Sequence, residues 1–185
     1  KVKFDKTDSL ILLDAFWTYD LVHSIDNSGL DQSQVVSIIY DLIPMTHPDF
    51  VENEGKELFI KKIPDLAKKV RRFIGISKLV SEELNQYLHV NYPQNKYEID
   101  YFLLGSDFKP RILKEETLLR PHFKSHFESG PIWLVVGTIE PRKNHAFILN
   151  AFEEIWKAGD SDKLLIIGRI GWKCEDILNR FQNHE

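Results

Sequence analysis

The chain has 185 residues, enough for one ordinary domain or for parts of two. With 43% hydrophobic and 12% aromatic residues it can bury a real core, which excludes global disorder. A formal net charge of -4 and a pI near 6.0 exclude nucleic-acid binding by general charge attraction, so a phosphorylated ligand would be gripped by a few local positive groups.

The opening KVKFDKTDSL has no signal-peptide core, and no apolar run approaches the ~20 residues that span a bilayer. Cys174 is the single cysteine, so no intrachain disulfide forms. A soluble cytoplasmic protein is the expectation. In chain order, short apolar runs at 10–13, 35–40, 73–76, 99–104, 132–136 and 164–167 read as strands. They are continuous rather than alternating, which predicts a parallel sheet covered on both faces. The stretch 54–72 reads as helical, with a break, a kink or a new start at Pro64. Its basic KKIPDLAKKVRR segment reads as a solvated helix face, with docking to anionic membrane as the alternative.

Helix 78–88 follows Ser77, a capping residue that also accounts for this serine better than a nucleophile would. Residues 109–130 have no clear strand period and contain Pro110, Pro121, Ser129 and Gly130, which places a domain boundary near 129–130. Beyond it, strand 132–136, helix 146–158 and strand 164–167 form one βαβ unit, with Gly159 at the helix stop and another helix starting near 174–181. Strands alternating with helices give an α/β class with parallel, Rossmann-like sheets. One βαβ unit cannot cover a sheet, so the second domain reads as truncated and the chain as a fragment of something longer.

Ligands of parallel α/β sheets bind at the carboxyl ends of the strands. Two strand ends carry matching features. One reads VVGTIEPRKN, with Gly137, Thr138, Arg142, Lys143 and the expected N-cap Asn144; the other reads IIGRIGW, with Gly168 and Arg169. Glycine admits close backbone approach, a helix start offers amides and a positive dipole end, and Lys143 and Arg142 add charge. This is phosphate-binding chemistry, although an ordinary solvated turn before a capped helix fits the same residues. The loop is neither a Walker A loop nor a GxGxxG fingerprint, which counts against NTPase and dehydrogenase readings.

GTIEPRKNHAFILNAFEEIWKAG followed by LLIIGRIGWKCEDIL resembles the opening of the C-terminal domain of retaining GT-B glycosyltransferases of family 4. Upstream, LILLDAFWTYD, VVSIIYDLIPMTHPDF, FIGISKLVSEELNQYL and LLGSDF occur in the order found in that family's N-terminal domain. The likeness is greatest to bacterial O-antigen and capsule enzymes, often mannosyl- or rhamnosyltransferases. It implies residues 1–129 as the C-terminal part of the acceptor-side domain and 130–185 as the start of the donor domain. It implies a nucleotide-sugar donor, GDP-mannose first, with its diphosphate on Gly137, Thr138, Arg142, Lys143 and Asn144 and on the second loop with Gly168 and Arg169. The glycan or lipid-linked acceptor would bind near Asp14, Trp17 and the loop opening at Asp41, with transfer proceeding without metal or other cofactor. Many relatives place histidine before that aspartate; here it is Tyr40, so Tyr40 and Asp41 stand as the catalytic-position candidates. The family's glutamate-rich motif and opening glycine-rich loop are absent from these residues. A non-catalytic nucleotide-sugar-binding fragment and a GT-B-like epimerase are the alternatives.

The remaining candidates read as ordinary structure. Asp160-Ser161-Asp162 has a metal-binding DxD pattern but reads as a polar turn. His122 and His126 have helical spacing without a third ligand and read as surface residues. His145 either touches phosphate or packs neutral near the helix start. Trp172 reads as edge packing, and Trp17 as packing or sugar stacking in equal measure.

Overall fold

The computed structural model describes residues 4–13, 15–107 and 130–184. The chain divides into two compact units, 1–106 and 107–185. The expected boundary near 129–130 adjoins residues 108–129, which with Asp14, His122 and His126 lie outside the described residues.

The first unit is a four-stranded parallel sheet in the order β1-β2-β3-β4, formed by Leu10–Leu12, Val35–Ile39, Arg72–Gly75 and Glu98–Tyr101. Between the strands run helices α1 (Leu21–Ser28), α2 (Ile43–Thr46), α3 (Asn53–Lys69) and α4 (Lys78–Asn91). As its apolar run requires, β2 is buried along most of its length. The fourth strand departs from expectation. It is an edge strand, it carries Glu98 and Asp100, and it ends at Tyr101, leaving Leu103 at 77% exposure beyond it. An apolar run alone does not tell an edge strand from a central one.

Helix α3 runs unbroken through Pro64, so the expectation of a break or a new start there is corrected. Proline removes one backbone donor, but apolar side chains on both sides of it are buried: Phe59 and Ile63 before, Leu66 and Ala67 after. Each large side chain so buried contributes about 1.5–3 kcal/mol, which together outweighs the ~3 kcal/mol that an interior proline costs. Ser77 caps α4 as expected, accepting a hydrogen bond from the Val80 amide.

The second unit holds β5 (Ile132–Val136) and β6 (Lys163–Ile167), paired in parallel and joined by α5 (His145–Lys157), with α6 (Glu175–Gln182) following. Gly159 follows α5 at φ 90°, the left-handed stop that its position predicts. Full coverage of both faces, expected from the apolar runs, is not found here. Trp133, Leu134 and Val136 are exposed by 57%, 57% and 71%, because the described residues place few side chains over this two-stranded sheet.

Candidate functional site

In the second unit the parallel ladder continues past the strands. The Gly137 amide donates to the Ile167 carbonyl at 2.9 Å, the Ile139 amide to Arg169 at 2.9 Å, and the Gly171 amide to Ile139 at 3.0 Å. The two loops expected to share a ligand, 137–144 and 168–172, are thus stitched together backbone to backbone. Gly168 and Gly171 make this contact. A Cβ on Gly168 would lie 1.8 Å from the Gly137 carbonyl oxygen, and one on Gly171 would lie 2.8 Å from that of Ile139. These two glycines are explained by loop-on-loop packing, without appeal to a ligand's approach.

After Glu140 the chain makes a tight turn, Pro141–Lys143, which Asn144 ends in the left-handed conformation at φ 51° and ψ 45°. Asn144 occupies the cap position of α5, but its side chain makes no capping bond, because the left-handed backbone does not present it to the first-turn amides. The Asn144 carbonyl instead accepts from the Phe147 amide at 3.1 Å. The turn sends its two cations in different directions. Arg142 pairs at 2.5 Å with Glu140, whose side chain is 3% exposed. Lys143 is exposed and curls back over the end of β5, its Cε 4.0 Å from where a Cβ on Gly137 would stand. Thr138 is half-buried and Arg169 exposed on the paired loops.

In the first unit, a cavity of about 170 Å³ opens at the carboxyl end of β2. Its lining includes Phe16, Trp17, Tyr40, Asp41 and Phe59, so three of the sequence-derived candidates come together there. Trp17 serves both readings. Its ring packs edge-on to Phe16 at 5.1 Å and tilted against Phe59 at 5.0 Å, and it also forms part of the cavity wall. Asp41 accepts from the Ile43 amide at 3.0 Å, which fixes the loop into α2, while Tyr40 is 54% exposed. Sequence reasoning missed Phe16 and Phe59 as wall residues; Phe59 lies on α3, far along the chain.

The other candidates have structural duties. Asp162 accepts from the Trp133 indole at 2.6 Å through its carboxylate and from the Trp156 indole at 2.6 Å through its carbonyl, so the DxD turn anchors two tryptophans. Among the described residues no group of three or more His, Cys, Asp or Glu side chains could hold a metal ion. Trp172 is half-buried. In the basic α3 segment, Lys69 pairs with Asp26 at 2.6 Å, Arg72 pairs with Glu98 at 3.2 Å, and Arg71 lies over the Tyr97 ring. Among the described residues no helix is long and apolar enough to cross a membrane.

The chain is similar to Serotype-specific mannosyltransferase WbdA of Escherichia coli, with 28% identity over 195 residues covering 99% of this chain. Two further proteins of that name match over the same share of the chain at 28% and 27% identity. The chain spans 23% of the length of each of these relatives. No family model matches the chain. No solved structure matches it either.

Proposed function

We propose that this chain is part of a mannosyltransferase of polysaccharide synthesis, a retaining GT-B enzyme of family 4 whose second unit grips the diphosphate of GDP-mannose. The observation that carries the reading is the Lys143 loop. An exposed cation curls over a strand end, directly before a helix start, on a loop stitched to its neighbour. That is where a parallel sheet offers amides, dipole and charge to a leaving diphosphate. Lys143, Arg142 and the start of α5 supply the positive charge in this reading, so it invokes no divalent cation or other cofactor.

The aromatic cavity of the first unit takes the acceptor sugar. Trp17 offers a ring face, and Asp41 and Tyr40 offer polar groups to its hydroxyls. The acceptor is a growing glycan or a lipid-linked saccharide, handled in the cytoplasm at the inner face of the membrane. Exposed Lys61 and Lys68 on α3 suit an anionic surface there.

The test is nucleotide-sugar binding and mannosyl transfer by this chain and by a longer chain spanning the relatives' length. Lys143→Ala is expected to weaken GDP binding by about 1.5–3 kcal/mol, the scale of a charge-assisted hydrogen bond. Failure of the longer chain to bind any sugar nucleotide sinks the reading. Binding without transfer makes the protein a nucleotide-sugar-binding module.

A further inference from the structure

The second unit contains a cavity of about 320 Å³ that the diphosphate loop's cations do not line. Its polar wall consists of Glu140, Asn144, His145, Lys173, Asp176 and Arg180. The decisive member is His145, the first residue of α5. It is 2% exposed, and neither ring nitrogen has a hydrogen-bond partner among the described residues. An unpartnered buried polar group is unfavourable, so a ligand that satisfies both nitrogens removes that cost. A neutral imidazole presents one donor and one acceptor.

That pair of valences selects the ligand's chemistry. A carboxylate only accepts and an ammonium only donates, so each leaves one ring nitrogen unpaired; a hydroxyl does both. Glu140 is paired with Arg142 and Arg180 with Glu153, and the formal charges of Lys173 and Asp176 cancel, so the wall carries no net charge toward an ion. Asn144 adds an amide not committed to capping the helix. Pro141 and Ile177 add apolar surface suited to the C–H face of a ring. The volume lies at the lower end of small-molecule sites, roughly 300–1,000 Å³, and fits a single small ring. We propose that this cavity is a monosaccharide subsite that binds one neutral hexose unit of a glycan, with His145 giving and taking a hydrogen bond from its hydroxyls. The proposal stands on the cavity and does not depend on the donor-site reading.

The test titrates the chain with methyl α-mannoside, methyl α-glucoside and inorganic phosphate. Binding is followed by saturation-transfer NMR and by the ring-nitrogen shifts of His145. A hexoside is expected to bind and to move the His145 nitrogens, whereas phosphate, which the Lys143 loop can take, is expected not to move them. His145→Phe, which keeps a buried ring and removes both nitrogens, should weaken hexoside binding about tenfold. Asp176→Ala, at an exposed position that folding tolerates, should weaken it several-fold and decides the matter if the Phe variant does not fold. Lys143→Ala should leave hexoside binding unchanged while lowering GDP binding, so the two sites fail or succeed separately. The proposal is overturned if neither hexoside binds, if phosphate rather than a hexoside moves the His145 nitrogens, if Asp176→Ala binds as well as the parent chain, or if Lys143→Ala abolishes hexoside binding.

Discussion

Replacing Gly168 with alanine tests whether the paired loops form one rigid device. The new Cβ would stand 1.8 Å from the Gly137 carbonyl oxygen and 2.7 Å from its carbonyl carbon, where real Cβ atoms keep at least 3.0 Å. Both obstacles are backbone, so no side chain can swing aside, and the loops must part by more than an ångström. The bonds from Gly137 to Ile167 and from Ile139 to Arg169, each 2.9 Å, would then stretch beyond bonding distance. Two lost bonds at about 0.5–1.5 kcal/mol each, with the strain of overpacking, give a loss of about 2–4 kcal/mol in the second unit. Urea unfolding followed by tryptophan fluorescence, with amide exchange of β5 and β6, reads it. Gly55→Ala is the control, because nothing lies within 4 Å of its Cβ position inside α3, and it should stabilise by about 0.5–1 kcal/mol. If Gly168→Ala unfolds at the same urea concentration as the control and leaves the strand amides protected, loop-on-loop packing is not the reason for the glycine.

Asp162→Ala should cost about 1 kcal/mol by releasing the Trp133 indole, and it should leave GDP binding untouched; a loss of binding would reinstate the DxD turn as a ligand site. Arg142→Ala should lower stability as well as GDP affinity, by about 1–3 kcal/mol in thermal or urea unfolding, because it strands the buried Glu140 carboxylate; a variant as stable as the parent would show that the pair contributes nothing. Burial, with the neighbouring Tyr92 hydroxyl, raises the Tyr87 pKa well above the usual phenol value of 10.0. Since the folded state holds that proton more tightly, its contribution is fully present below pH 10 and falls as pH rises above it. Alkaline titration by ultraviolet absorbance should show Tyr87 ionising with unfolding, and a normal titration in the folded chain would refute this. The Arg180 guanidinium lowers the Glu153 pKa, so that pair's contribution is present above the usual carboxyl range and is lost as pH falls through the folded value; carboxyl NMR titration of Arg180→Ala should show the Glu153 pKa returning upward.

Strand positions and their parallel sense were legible in continuous apolar runs, and Ser77 and Gly159 because caps and stops have narrow chemical requirements. Pro64 misled because propensity is local, whereas the burial of Phe59 and Leu66 on either side of it is tertiary. Asn144 misled in a subtler way: its residue type matches a cap, but its left-handed backbone was set by the preceding turn. Trp17, Tyr40 and Asp41 were each visible beside a strand end, yet their convergence needed Phe59 from α3, which no local pattern connects to them. The orphaned nitrogens of His145 had no sequence signal at all, since a histidine at a helix start reads the same whether or not it has partners.

The ion pair of Arg142 with Glu140 has a consequence for discrimination among ligands. An arginine already held by an enclosed carboxylate is not free bait for any passing anion. A newcomer must offer the guanidinium more than the resident acid does, while leaving that acid tolerably compensated. A singly charged acetate or chloride gains little by such an exchange, whereas a diphosphate brings several negative oxygens and can engage Lys143 in the same step. If the proposed diphosphate site holds, Glu140 is a standing rival to the ligand, and the loop's threshold for occupancy is written in a residue that the ligand need never touch.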